Sequence, residues 1–355
     1  MKKVFILTIL AIQVTFAQNT FKSEEVNYWN TTDSVHIFGT LTMPENGSKF
    51  PAVILITGSG IQDRDETILG HKPFKVIAEY LTGRGFAVLR VDDRGAGKTT
   101  LGRNPKAMTS ENFAYDVKCG IDYLKTRSEI NSKKIGLIGH SEGGIIAPMV
   151  AAKSEDVAFI VSLAGTGVSG EVILQKQLTI PIEAIPEFSA TFKQKYAVYM
   201  AHVLRAYKQA ESQADAVLSL DKITKNWKDS LSTEEAKYAS NLANVYYTLK
   251  NMSIDWGRFF IKFDPKTAIS KVKCPILALN GSKDHQVFPE ENLAGIEEGL
   301  KMAKNKHYKI LKLEGLNHLF QHAETGLPQE YAKIKEDFAP EALQIMGDWL
   351  IKTTK

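Results

Sequence analysis

The stretch Ile138-Gly139-His140-Ser141-Glu142-Gly143-Gly144 decides how the rest of the chain is read. It joins the apolar run Ile135-Gly136-Leu137-Ile138 to a segment of helical spacing that reaches about Ala152, and it contains the pattern G-x-S-x-G. Between a buried strand and a helix, the serine of that pattern sits on a strained turn that lifts its hydroxyl above the sheet. Glycines on either side let neighbouring backbone come close without a side-chain clash. Ser141 is the candidate nucleophile; a glycine-rich packing turn is the plainer alternative.

The flanking segments share one rhythm. Ala52 to Ile56 is a continuous apolar run that ends in Thr57-Gly58-Ser59-Gly60. Phe86 to Val91, Phe159 to Leu163, Pro275 to Leu279 and Tyr308 to Leu313 read the same way. Such runs suit strands buried on both faces, as in parallel sheets. Helical spacing separates them at Phe74 to Leu81, Glu111 to Leu124, about Pro289 to Lys304 and Pro340 to Ile351. The alternation predicts a doubly wound, mostly parallel α/β sheet. Val35 to Leu41 alternates instead and predicts an edge strand, and Pro148 is expected to kink the helix after Ser141.

The rhythm breaks after Gly167 for about 100 residues, too many for a loop. Phe192, Tyr196, Met200, Val203, Leu204 and Tyr207 mark one amphipathic helix there, and Leu242, Val245, Tyr246 and Leu249 another. The expected organisation is a core of residues 18–167 and 273–355 interrupted by a helical cap over 168–272. Residues 1–17 read as a secretory signal peptide: Lys2 and Lys3, the apolar run Val4 to Ile12, and Thr15-Phe16-Ala17 as a small-residue cleavage site. That run is far below the ~20 residues of a spanning helix. The expectation is an exported protein, periplasmic or secreted, with no stable membrane insertion.

Composition adds exclusions. With 44% hydrophobic and 24% charged residues and a formal net charge of +4, the 355-residue chain is ordinary for a globular protein. No basic run or stripe of arginines and aromatics suggests nucleic acid. Two cysteines, Cys119 and Cys274, are too few for a disulfide framework and read as packed thiols.

A serine hydroxyl needs a base, and the base needs an orienting acid. Asp284, in Gly281-Ser282-Lys283-Asp284-His285, follows one buried run; His318, in Glu314-Gly315-Leu316-Asn317-His318, follows the next. Parallel strands bring their C-terminal ends to one edge, so both leave the edge from which Ser141 projects. The order Ser, Asp, His is the one such a sheet uses. His285 neighbours the acid but is expected to point elsewhere. His322 forms H-x-x-x-H with His318, yet Leu319 stands where a zincin helix has Glu, so no metal is expected. His140 reads as packed, and His36, His71, His202 and His307 as surface or structural. The backbone N–H groups of Glu142 and Ser59 are the candidate oxyanion donors.

The stretch Val91 to Thr100, VDDRGAGKTT, mimics a phosphate loop. Aligning Gly97-Lys98-Thr99 with the end of G-x-x-x-x-G-K-[ST] puts Asp92 where the first glycine belongs, so no nucleotide is expected.

Taken in order, Thr57-Gly58-Ser59-Gly60 with Gln62-Asp63-Arg64-Asp65, Asp92 to Lys98, and Gly139 to Gly144 resemble segments of the α/β-hydrolase superfamily. Within it the chain is similar to capped bacterial esterases related to serine aminopeptidases. The resemblance runs from about Val35 to the C-terminus, with Thr57 standing where many relatives have His. It implies the α/β-hydrolase fold, an Asp-x-Arg-Gly-x-Gly loop whose charges pair internally, Lys98 as a solvated or structural residue, no cofactor, and small carboxylic esters with short acyl chains as substrates. Trp256, Phe259 and Phe260, at the end of the cap, are the candidates to line the acyl pocket. A serine peptidase, with Glu142, Asp63 or Asp65 holding a substrate amino terminus, is the runner-up. A non-catalytic binding protein on the same fold is the third reading.

Overall fold

The computed structural model describes residues 21–355; the expected signal peptide lies outside them. In chain order, the first elements are β1 (Phe21–Asn30), β2 (Val35–Pro44), β3 (Phe50–Ile56), α1 (Pro73–Thr82), β4 (Ala87–Val91), α2 (Ser110–Thr126), β5 (Ile130–His140), α3 (Gly143–Ala151) and β6 (Ile160–Leu163). Seven helices follow: α4 (Gly170–Glu183), α5 (Ala190–Gln209), α6 (Gln213–Asp229), α7 (Thr233–Ser240), α8 (Ala243–Asn251), α9 (Asp255–Lys262) and α10 (Lys266–Ile269). The chain then returns with β7 (Ile276–Gly281), α11 (Pro289–Met302), β8 (Tyr308–Leu313), α12 (Pro328–Tyr331) and α13 (Pro340–Thr354).

The strands form one eight-stranded sheet in the order β1-β2-β4-β3-β5-β6-β7-β8. From β4 to β8 neighbours run parallel, while β1–β2 and β2–β4 are antiparallel. This is the α/β-hydrolase fold. One expectation changes: Val35 to Leu41 is not at the edge, because β1 pairs along its full length with β2, from Phe21–Pro44 to Asn30–Val35. The edge strand β1 buries only Val26, Tyr28 and Asn30 and otherwise carries polar or partly exposed residues, so it has no apolar run to announce it.

The continuous apolar runs are explained by two buried faces. On β3, Val53 and Leu55 join a cluster with Phe74, Ile77 and Leu81 of α1 and Met346 and Leu350 of α13. Ala52, Ile54 and Ile56 face the other way, onto Ile121 and Leu124 of α2 and Ile145 and Ile146 of α3. That second cluster continues into the cap through Phe192, Tyr196, Met200 and Val203 of α5. Helices α5, α6 and α7 have local start signals: Ser189, Ser212 and Ser232 accept from the amides of Phe192, Asp215 and Glu235 at 3.1–3.2 Å, each satisfying an orphan N–H of the first turn. Cys119 and Cys274 are free, and burial pushes their thiols up to about 11 and about 12. Among the described residues no helix is long and apolar enough to cross a membrane.

Candidate active site

Ser141 lies between β5 and α3 with φ at +53°, in the left-handed region that a side chain rarely adopts and that clusters at functional sites. The glycines beside it are required by contact. A Cβ on Gly139 would come 2.0 Å from the Gly143 carbonyl oxygen, and one on Gly143 would come 2.2 Å from that of Ile56. The turn is fixed by Ser141 N–H donating to Leu163 O at 2.9 Å and Gly144 N–H donating to Ser141 O at 3.0 Å.

Asp284 follows β7 and is 1% exposed. Its Oδ1 accepts from the amides of Gln286 and Val287, both at 2.8 Å, and its Oδ2 lies 2.8 Å from His318 Nδ1. Two amides and one imidazole therefore set the carboxylate plane. His318, after β8, is 4% exposed. Its loop is shaped by Asn317, whose Oδ1 accepts from the amides of Leu319 and Gln321 at 2.9 Å. With Nδ1 on Asp284, His318 Nε2 has no partner among the described residues and is the nitrogen free to exchange a proton. No hydrogen bond joins Ser141 to His318 among the described residues; such bonds are commonly long in a free site and tighten around substrate.

The amides of Ser59 and Glu142 donate to no group among the described residues. Gly58 N–H, in contrast, is committed to Glu66 Oε1 at 2.6 Å. Glu66 is 1% exposed and also lies 2.9 Å from His140 Nδ1, while His140 Nε2 is 3.0 Å from the carbonyl of His318. The rings of His140 and His318 are 4.7 Å apart. Burial works against the charged form of His140, but the Glu66 carboxylate prevails and the imidazole titrates above its ordinary value.

The Asp92-Asp93-Arg94 loop pairs its charges, but with other segments rather than internally. Asp92 takes both Arg64 Nε and Nη2, at 3.1 and 2.7 Å. Arg94 reaches Asp116 of α2 at 2.6 Å and Asp33 at 2.8 Å. Asp93 accepts from Thr57 Oγ1 at 2.9 Å and from Gln62 N–H at 3.0 Å, spanning the Thr57–Gln62 loop from both ends. Burial, with Glu66 and Glu142 nearby, pushes Asp93 up to about 8 against those hydrogen bonds. Thr57 is thus the loop's tie to Asp93. Lys98 is exposed. Asp63 caps its own turn, accepting from the amides of Asp65 and Thr67 at 3.0 Å, and Asp65 pairs with Arg90 and Lys72.

Trp256 of α9 is half-buried, and its indole N–H donates to Glu142 Oε1 at 2.9 Å; Ser110 Oγ donates to the same oxygen at 2.6 Å. The cap is therefore tied to the side chain of the residue that follows Ser141. Trp256 stacks on Phe260 at 5.6 Å, and Phe259 stacks on Phe263 at 5.4 Å. Phe260 also lies against the start of α4, where a Cβ on Gly170 would come 2.6 Å from its ring.

His285 turns to Thr325 O, as expected of a bystander, and His322 pairs with Glu336 and Glu341. His71 is buried and bridges Asp337 and Tyr331 O. Glu66, Asn317 and Ser110 also shape the site without belonging to any of its sequence motifs. Asn317 had a signal, since an asparagine before a loop histidine can cap the turn with its side chain. Glu66 had none: it is one of three acids within Asp63 to Glu66, and only its positive φ of 51° and its burial separate it from the others.

Residues 72–324 match the family model described as serine aminopeptidase, S33. Esterase EstD of Thermotoga maritima is 24% identical over 316 residues, covering 88% of this chain and 65% of that protein's length. A 31.7 kDa protein from the traX-finO intergenic region of Escherichia coli is 25% identical over 76% of this chain and 88% of its own. Two solved structures share the fold. The Pyrococcus furiosus esterase PF2001 has a TM-score of 0.54 at 18% identity, covering 94% of this chain and 92% of its own. The Pseudomonas aeruginosa protein PA2218 has 0.56 at 16%, covering 94% of both chains.

Proposed function

The chain belongs to the serine aminopeptidase S33 family of α/β hydrolases, and we propose that within it the protein is a serine esterase of small carboxylic esters. The observation that carries this reading is a positive-φ serine turn at the C-terminal edge of the parallel strands, the edge that also carries an Asp284–His318 pair held at 2.8 Å. His318 Nε2 takes the Ser141 proton as Oγ bonds to the acyl carbon, and Asp284 holds the imidazole in the required tautomer. The amides of Ser59 and Glu142 receive the oxyanion; each such donor is worth about 10²–10³ in rate. The acyl carbon–alcohol oxygen bond then breaks and His318 returns the proton to the departing alkoxide. Water, deprotonated by the same nitrogen, releases the acid and restores Ser141. The cycle uses no cofactor.

An ester is favoured over an amino-terminal peptide because the carboxylates that could hold an ammonium group are already engaged. Glu142 accepts from Ser110 and Trp256, Asp63 caps its own turn, and Asp65 pairs with Arg90 and Lys72. The α4–α10 segment is the lid of this site, and its aromatic end supports a preference for short acyl chains. The apolar run Val4 to Ile12 supports an exported location.

The test is kcat/KM for nitrophenyl esters of rising acyl length and for aminoacyl amides, on the wild type and Ser141→Ala. The reading expects the maximum at about two to four carbons and no turnover by the variant. Faster cleavage of aminoacyl amides, or activity surviving Ser141→Ala, overturns it.

A further inference from the structure

Neither Glu66 nor His140 takes part in the chemistry above, yet together they connect its two halves. Gly58 N–H donates to Glu66 Oε1 at 2.6 Å, the same oxygen lies 2.9 Å from His140 Nδ1, and His140 Nε2 lies 3.0 Å from His318 O. One end of this chain of bonds is the loop that presents the Ser59 amide. The other end is the backbone of the base. Its middle member is the residue immediately before Ser141.

The hydrogen-bond stoichiometry is unusual. His140 Nε2 faces a carbonyl, which can only accept, so that nitrogen must carry a proton. Nδ1 faces a carboxylate oxygen that already accepts the Gly58 amide. Both bonds are satisfied together only if one further proton is held between Nδ1 and Glu66. Glu66 accepts other costs as well. It adopts a φ of +51° and leaves Oε2 buried with no partner. Strained backbone and an unsatisfied buried oxygen each weigh against stability, and such features persist where function holds them.

We infer that Glu66 and His140 are positioning residues: a buried, hydrogen-bonded strut that sets the oxyanion loop at a fixed distance from the His318 loop. The inference rests on the proposed esterase reading. The strut does not touch the substrate. Its effect is on the alignment of the Ser59 amide with the Ser141–His318 pair, so it acts on kcat rather than on ground-state binding, where misplacement of about 1 Å can cost 100-fold.

Glu66→Met and Glu66→Gln separate this role from a merely structural one. Methionine fills the space without any acceptor. Glutamine can keep an oxygen at the position that Gly58 N–H and His140 Nδ1 share, which preserves the Gly58 bond but leaves Nδ1 of a neutral Nε2–H imidazole without a donor, so it restores the strut only in part. Activity is measured per active site, with the number of sites counted by fluorophosphonate titration. The expected result is a kcat loss of about 100-fold for Glu66→Met with KM within a few-fold, and a kcat for Glu66→Gln between that of Glu66→Met and wild type, because the bond to Gly58 N–H is kept. His140→Leu should match Glu66→Met, and the double variant should be no worse than either, since the pair acts as a unit. If Glu66→Met does not fold, His140→Leu scored per site decides the question. Wild-type kcat per site in either apolar variant, or Glu66→Gln as impaired as Glu66→Met, overturns the inference. Failure of the esterase reading would show separately, as activity retained by Ser141→Ala.

Discussion

At the rim of the sheet the polar side chains are held by directional bonds, whereas in the cap the order comes from aromatic rings lying on one another. Asp284 uses both carboxylate oxygens, on two amides and one imidazole, and Asn317 shapes the His318 loop with one side-chain oxygen. In the cap, Tyr199 stacks on Trp227 at 4.5 Å, and Phe192 packs edge-on against Phe188 and Tyr238 at 5.1 and 5.4 Å. A loop closed by hydrogen bonds accepts few residue types at each position. An aromatic cluster accepts many, because burial is non-directional. The rim is therefore specified residue by residue and the cap mainly by its apolar pattern. The two meet where Trp256 donates to Glu142.

The largest expected effect breaks the rim. His318→Ala should lower kcat by about 10⁴-fold or more, and Asp284→Asn by about 10⁴-fold, because the amide favours the wrong tautomer of His318. His285→Ala and His322→Ala should keep a substantial part of the activity, since their rings face Thr325 O and the Glu336–Glu341 pair. A null His285→Ala would mean that the base has been misassigned. Steady-state kinetics on nitrophenyl esters decides among these.

Smaller effects should come from the meeting point. Trp256→Phe keeps a ring on Phe260 but removes the N–H, one hydrogen bond to a carboxylate; kcat/KM should fall about 10-fold, as expected for ~1.5 kcal/mol. Trp256→Ala should in addition narrow the difference between short and long acyl esters by opening the pocket. A chain-length profile unchanged in Trp256→Ala would detach α9 from the acyl site.

The smallest effect is on stability. In the unfolded chain Asp93 titrates near ~3.9, while in the native protein burial pushes it up to about 8. Between those values the native state binds a proton that the unfolded chain lacks. Stability therefore falls as pH rises through that window. Asparagine keeps an acceptor for Thr57 or Gln62 without that dependence. The melting temperature of Asp93→Asn relative to wild type should be higher at pH 8 than at pH 5, by a few degrees. A difference that is constant or reversed with pH would show that Asp93 is ionised in the folded protein.

What could be read from the sequence follows the same division. The strained turn at Ser141 and the pairing of Asp284 with His318 could be anticipated because a positive-φ turn, a tight β7 exit and the parallel sheet restrict which residues can occupy those places. The apolar runs in β3 to β7 were legible because two buried faces leave few polar positions, whereas β8, at the other edge of the sheet, exposes Lys309 and Lys312. β1 was missed because its outer face meets water and only Val26, Tyr28 and Asn30 turn inward. Within the cap, the α5 stripe of Phe192, Tyr196, Met200, Val203, Leu204 and Tyr207 was found and is buried. The stacking of Trp256 on Phe260 and its bond to Glu142 were not, since spacing within a helix does not say which partner lies opposite. Glu66 and His140 were invisible as a pair because their link runs through Gly58 and His318, which are 260 residues apart in sequence.

The central claim is that turnover passes through an acyl group on Ser141, and trapping that group is its most direct test. The protein is mixed with a short-chain nitrophenyl ester, quenched in acid within the first turnover, digested and weighed by mass spectrometry. The account predicts one added acyl group on the peptide that contains Ser141, absent from Ser141→Ala and formed at the rate of the initial nitrophenol burst. An acyl group on another residue, or full turnover with no acylated peptide at any quench time, would contradict it.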